Sequence, residues 1–203
     1  MHKIYTRRNT HRISQHDYST PGQYFITICT ENREFLFGGI ENGQMILNNI
    51  GDMVNAWWKN TFEKYNNIST GEYIIMPNHM HGIINIVGAG SPRPGVSRPN
   101  DKISSNIDNH NDNGRGNIGR GNRAPTMGQI IAYFKYQSTK QINESHNTPG
   151  RKIWQRNYYD HIIRNEKSLN KIQEYIRNNP AIWDNDIENP DRTGNIESKL
   201  LEA

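Results

Sequence analysis

Apolar periodicity runs from Gln23 to Val87, stops, and resumes only near Thr126. From Gly88 to about Arg123 the chain is Gly, Ser, Asn, Asp, Pro and Arg with scattered Ile and Val, and it includes the near-repeat Gly114 to Arg123. Any fold must therefore be completed across this break. The stretch reads as a flexible, low-complexity insertion at about 88–124, joining two halves of one domain spanning 1–183. Residues 184–203 read as a polar, weakly ordered tail. The insertion also accounts for a hydrophobic content of only 33% and a mean hydropathy of −0.92. A disordered segment dilutes an otherwise ordinary domain.

Within the two halves the periods alternate. Gln23 to Thr30 is rich in β-branched and aromatic residues and reads as a strand after the turn signal Thr20-Pro21-Gly22. Residues 33–48 read as a hairpin turning at Glu41-Asn42-Gly43-Gln44. Ile50, Met53, Val54, Trp57, Trp58 and Phe62 recur at helical spacing from about Asn48 to Lys64. At least one of the adjacent Trp57 and Trp58 is expected in the core. Two strands follow, Glu72 to Met76 and His79 to Val87, separated by Pro77-Asn78. Beyond the insertion a helix is expected from Thr126 to Ile142, with Ile130, Ile131 and Phe134 inward. A short strand is expected near Ile153-Trp154-Gln155, ending around Tyr158-Tyr159. A last helix is expected to be N-capped by Ser168, with Leu169, Ile172 and Ile176 on one stripe, and to stop at Asn179-Pro180. This order predicts an α+β fold, a mainly antiparallel sheet with helices packed on one face and the other face left to a partner.

Cys29 is the only cysteine, which excludes an internal disulfide and a cysteine metal cluster. No run approaches membrane-spanning length, so the expectation is a soluble, cytoplasmic protein with no membrane partner. A net charge of +4 and a sequence pI near 9.1 permit a polyanionic partner without demanding one.

The sharpest local feature is Met76-Pro77-Asn78-His79-Met80-His81-Gly82. Positions two apart on a strand share a face, so His79 and His81 would present two imidazoles side by side, a geometry that suits one divalent ion. Alone, such a pair is more often the polar face of a strand than an ion site. Almost one hundred residues later, Tyr175 and Asn179 lie four apart on the inward side of a helix. Alone, they read as readily as an interior aromatic and a helix cap.

Together the features resemble a known family. The order Met76-Pro77-Asn78-His79-Met80-His81-Gly82-Ile83-Ile84, then Trp154 to Glu166, then Tyr175-Ile176-Arg177-Asn178-Asn179-Pro180, is similar to the single-tyrosine HUH transposases. It is most similar to the REP-associated tyrosine transposases, as is the opening Asp17 to Thr30. The resemblance covers roughly residues 12–87 and 125–183. It implies a ferredoxin-like HUH endonuclease fold, with His79 and His81 as metal ligands and Tyr175 as the nucleophile. In the family's insertion-sequence members the residue four after the tyrosine is usually glutamine and completes the metal site; here it is Asn179, one methylene shorter. Tyr158 and Tyr159 are rival nucleophiles without that amide partner. The implied cofactor is Mg²⁺ or Mn²⁺, although imidazole is not the preferred ligand of Mg²⁺. The implied partner is single-stranded or hairpin DNA, bound by a monomer or by a homodimer that exchanges the tyrosine helix.

Such chemistry joins and cuts DNA without an external energy source, because a phosphotyrosine keeps the energy of the broken ester. A free phenol has a pKa near ~10, so a nearby cation must offset its low ionised population. Candidate phosphate contacts are Arg7, Arg8, Arg12, Lys135, Lys140, Arg156 and Arg164, each also readable as a solvated surface charge. Asp160 and His161 could orient site groups or simply pack. Two other functions stay open: a non-catalytic single-stranded nucleic-acid-binding module on the same fold, and a metallohydrolase with a water nucleophile.

Overall fold

The structure is a computed structural model and describes residues 21–87 and 125–192. The expected insertion, the basic residues Arg7, Arg8 and Arg12, and the chain beyond Arg192 lie outside the described residues.

Strand β1 (Gly22–Cys29) sits in the middle of a four-stranded sheet ordered β4-β5-β1-β6, with β4 (Ile68–Met76), β5 (His79–Ile86) and β6 (Tyr159–Ile163). Every neighbouring pair is antiparallel. Helix α1 (Asn49–Lys64) precedes β4 and helix α2 (Met127–His146) precedes β6. Apart from a small hairpin of β2 (Gly38–Glu41) and β3 (Gln44–Leu47), this is the βαββαβ order of a ferredoxin-like domain, as expected. The hairpin turns at Asn42 and Gly43, both with positive φ (50° and 73°), as a two-residue turn that follows strand twist requires.

β1 is apolar on both sides because both sides are covered. Tyr24, Ile26 and Ile28 join Met80, Ile84, Val54, Trp58, Ile130, Ile131 and Phe134 beneath α1 and α2. Phe25 points the other way, joining Ile83, Ile163, Ile172 and Ile176 beneath helix α3 (Glu166–Asn178). The expectation of helices on one face only is therefore corrected. α3 occupies part of the face that the sequence suggested would be free, because Ile172 and Ile176 need apolar partners and the odd-numbered residues of β1 and β5 supply them.

Three boundaries also differ from the sequence reading. α3 is capped by Asn165, whose carboxamide accepts from the Ser168 amide at 2.8 Å, so the helix starts ahead of Ser168. The expected strand at Ile153–Gln155 is a single bridge between Trp154 and Thr30. The Trp154 indole is buried and donates to Ser138 at 2.9 Å, while the Lys135 ammonium takes the carbonyls of Gln155 and Asn157 at 2.8 and 3.0 Å. Those carbonyls are then engaged by a side chain, and regular pairing begins only at Tyr159. Finally, the polar segment after Trp183 is not a loose end as far as Arg192. Asp186, Glu188 and Asn189 are buried following a 3-10 turn, Asn179–Asn185.

Gly82 is set by packing. A Cβ there would lie 2.8 Å from the Trp58 ring and 3.3 Å from Tyr73 Cβ. With Trp58 fully buried, the ring has nowhere to move. Gly82→Ala should lower stability by about 1–3 kcal/mol in urea denaturation, the usual cost of overpacking a filled core.

Candidate metal centre and nucleophile

The β1–β5 register pairs Thr27 with His81 and Cys29 with His79. Alternation puts both imidazoles on the α3 side, where they are 0% and 2% exposed. Each ring is held through Nδ1: His79 by Asn78 Oδ1 and His81 by Thr27 Oγ1, both at 2.8 Å. The Asn78 orientation is fixed, because its Nδ2 donates to the Glu188 carbonyl at 2.8 Å and a carbonyl only accepts. Its Oδ1 must then accept from His79 Nδ1–H, which leaves His79 Nε2 a bare lone pair. The Thr27 hydroxyl can donate or accept, so it serves either tautomer of His81.

The two Nε2 atoms face each other at 3.0 Å. Both could ligate one divalent ion, because imidazole binds through a bare ring nitrogen. Burial, reinforced by the charges of His81 and Arg33, pushes the His79 pKa well below its ordinary value. Burial brings His81 down to about 4 even though Asp186 pulls the other way. Both rings are neutral near pH 7, the form in which imidazole ligates.

α3 brings the second half of the site. The Tyr175 hydroxyl lies 3.2 Å from His81 Nε2 and 3.5 Å from Asp186 Oδ2. One turn on, Asn179 is fully buried; its Nδ2 donates to Asp186 Oδ2 at 2.7 Å, and its Oδ1 has no hydrogen-bond partner. Ligand atoms of His79, His81 and Asp186 all lie within 4.8 Å of one another. Two neutral imidazoles, one carboxylate and an orphaned amide oxygen make a donor set that fits a divalent cation.

Asp186 is the site residue that sequence reasoning missed. It lies in a short polar run with no apolar period, and nothing in its spacing separates it from a surface carboxylate. The fold supplies the distinction. Asp186 Oδ1 accepts from the Glu188 amide at 2.6 Å, Trp183 stacks on the His79 ring at 6.0 Å between centroids, and Glu188 forms an ion pair with Arg33. Residues 183–188 are thus a strap that closes the site from the C-terminal side.

The other sequence candidates separate. Tyr158 packs with the core beneath α1 and α2, away from the imidazoles. Tyr159 shares the imidazole face, edge-on to Phe25 at 6.4 Å. His161 lies opposite Phe25 in the ladder, its pKa lowered by burial and by Arg164, with Asp160 opposing. Trp58 is core, whereas Trp57 is half-buried and donates to Gln141. Lys135, Lys140 and Arg156 line one groove. Lys135 is there in a structural capacity: its ammonium holds two main-chain carbonyls, and burial lowers its pKa to about 8 against a smaller opposing effect of Cys29. Arg164 is exposed after β6. Among the described residues no helix is long and apolar enough to cross a membrane.

No protein-family model matches the chain. A protein of Haemophilus influenzae, described as uncharacterized, is 37% identical over 183 residues, covering 90% of this chain and 93% of that protein. The chain belongs to that protein's family. Among solved structures, a REP-associated tyrosine transposase bound to a REP hairpin is similar with a TM-score of 0.47 and 18% identity, covering 80% of this chain and 68% of that one. A candidate transposase of Deinococcus radiodurans R1 is similar with a TM-score of 0.42 and 12% identity, over 78% of this chain and 91% of that one. In the order of its motifs the chain resembles the single-tyrosine HUH transposases, and the fold brings two of them, His79-Met80-His81 and the one beginning at Tyr175, together.

The histidine pair makes stability pH-dependent. A histidine whose folded pKa lies below its unfolded value of 6.5 binds protons better when the chain unfolds. Metal-free protein should therefore lose stability as pH falls from 6.5 through about 4. Melting followed by circular dichroism should show this decline, and it should be visibly flatter in His81→Gln.

Proposed function

We propose that this chain is a metal-dependent single-strand DNA nuclease and strand transferase of the single-tyrosine HUH type, with Tyr175 as its nucleophile. The observation that carries the reading is the 3.2 Å approach of the Tyr175 hydroxyl to His81 Nε2, between residues 94 apart in sequence. A half-buried phenol set against buried neutral imidazoles and a buried carboxylate is an expensive arrangement unless it is used.

His79, His81 and Asp186 would hold the cation, with Asn179 Oδ1 as a further donor, while Asn179 Nδ2 orients the carboxylate. Bound there, Mg²⁺ or Mn²⁺ would supply charge neutralisation at a phosphate oxygen. The chain's own residues do the rest. Tyr175 Oη attacks phosphorus, the bond to the 3′-oxygen breaks, and the products are a 5′-phosphotyrosine and a free 3′-hydroxyl. With His81 Nε2 turned to the cation, Asp186 Oδ2, 3.5 Å from the hydroxyl, is the acceptor within reach of the phenol proton. Attack by a 3′-hydroxyl on the phosphotyrosine reverses the step and rejoins a strand. Phe25, edge-on to Tyr175 at 6.2 Å, and Ile172 and Ile176 on the same helix hold the phenol in place. All these groups come from one chain, which favours a monomer over helix exchange between two copies.

The test is a gel assay with end-labelled hairpin oligonucleotides carrying single-stranded flanks, in Mg²⁺ or Mn²⁺. Wild type should form a covalent adduct that is absent in Tyr175→Phe. Cleavage that survives Tyr175→Phe but fails in His79→Ala would instead mean a water nucleophile, and binding without any adduct would mean a binding module. Asp186→Ala should raise the Mn²⁺ concentration for half-maximal adduct by about 10–100-fold, the usual cost of disturbing a metal's ligand set.

A further inference from the structure

Between β1 and β2 the chain turns at Glu31–Arg33, where Asn32 and Arg33 both have positive φ, 53° and 59°. Two successive residues other than glycine in that region are costly, and they persist only where surrounding contacts hold them. Here the contacts run to the turn ahead of β5. The Thr30 amide donates to the Asn78 carbonyl at 2.8 Å, and the Leu36 and Phe37 amides share the Pro77 carbonyl at 2.9 and 3.1 Å. The strained segment is therefore fixed to the same two residues that lead into His79.

That backbone sorts two phenylalanines. Phe37 is fully buried in the core, whereas Phe35 is 47% exposed. A lone exposed apolar side chain is ordinary, and Ile46 and Tyr136 are others among the described residues. Phe35 differs in its neighbours. It lies edge-on to the half-buried Trp183 at 5.7 Å between ring centroids, and Trp183 stacks on His79 at 6.0 Å and 26°. An aromatic series thus runs from solvent to the imidazole pair, beginning beside the strained turn and passing through the strap. Glu34, next to Phe35 in the chain, is paired with Arg151, and Glu188 in the strap is paired with Arg33. Both carboxylates are balanced, which weakens their repulsion of a polyanion.

We propose that Phe35, backed by Trp183, is the platform on which an unpaired base of the substrate strand stacks, beside the phosphate that Tyr175 attacks. This rests on the function proposed above and adds a residue that holds the strand. Contacts to phosphates alone leave a flexible single strand free to slide past the nucleophile. A base seated on Phe35 stops the slide and sets which phosphate reaches the imidazoles. Stacking of this kind accepts any base, because each has a π-face. A flank of mixed sequence therefore serves as the probe.

The experiment uses a hairpin oligonucleotide with a single-stranded flank in which 2-aminopurine, whose fluorescence falls on stacking, replaces one base at a time. Saturating wild-type protein should quench the probe most strongly at a single flank position. Phe35→Leu, which keeps an apolar contact with Trp183, should lose that quenching and weaken binding of the flank by about 5–100-fold, the usual value of one stacked base. Phe35→Trp should restore both. An abasic site at the quenched position should weaken wild-type binding by as much and leave Phe35→Leu unaffected. Tyr136→Leu removes an exposed aromatic from the opposite layer and should change neither quenching nor binding. Melting of each variant verifies its fold. Quenching at no flank position, an abasic site that costs wild type nothing, or Phe35→Leu equal to wild type would overturn the proposal. Adduct formation without any quenching would do so too, and would leave the activity standing. Stacking on Phe35 by a wild-type protein that forms no adduct would overturn the activity instead and leave the platform standing.

Discussion

Two histidine side chains with their Nε2 atoms 3.0 Å apart, in a place water barely reaches, set the terms for this structure. Buried imidazoles need their polar atoms satisfied, and the fold does so from three directions. Thr27 on the central strand holds one ring. Asn78, in the turn before β5, holds the other. The C-terminal strap fixes Asn78 itself through the Glu188 carbonyl. Tyr175 then meets His81 at 3.2 Å, and Asp186 binds both Tyr175 and Asn179 within 3.5 Å, its carboxylate within 4.8 Å of the two imidazoles. The chain thus forms a polar cluster at the heart of one layer, while the opposite layer under α1 and α2 is almost wholly apolar.

The division into layers explains how one sheet can be both scaffold and site. Met80 and Gly82 serve the apolar layer, the first by filling it and the second by making room for Trp58. His79 and His81, interleaved with them, serve the polar layer. The period of two along a strand enforces that separation, so the imidazoles rest on a closely packed support. α3 follows the same logic with a helical period. Ile172 and Ile176 anchor it to Phe25 and Ile83, and Tyr175 is carried between them toward the imidazoles.

Much of this was legible in the sequence because it is periodic. Apolar alternation located β1, β4 and β5, helical spacing located α1 and α2, and Asn42-Gly43 located the hairpin turn. His79, His81 and Tyr175 were legible as residue types in a recognisable order, and the fold brings them together. The illegible parts share a physical cause: they are fixed by polar side chains acting over distance. Asp186 is held by Tyr175 and Asn179, and Glu188 by Arg33 and Asn78, partners that no local pattern reveals. Lys135 reads as a surface cation and proves to be a tether for two carbonyls. The displaced start of β6 follows from that tether, and the start of α3 at Asn165 follows from a cap that competed with Ser168 in the sequence. α3 on the second face was hidden because an apolar stripe states that a helix packs, not against which side.

The central claim is that the phenol of Tyr175 becomes covalently joined to DNA at this cluster. Mass spectrometry of the protease-digested protein–DNA complex measures it most directly. The account predicts a nucleotide linked through phosphate to the peptide containing Tyr175, formed only when Mg²⁺ or Mn²⁺ is supplied. A linkage at Tyr158 or Tyr159, or cleaved DNA with every tyrosine-containing peptide unmodified, would contradict it.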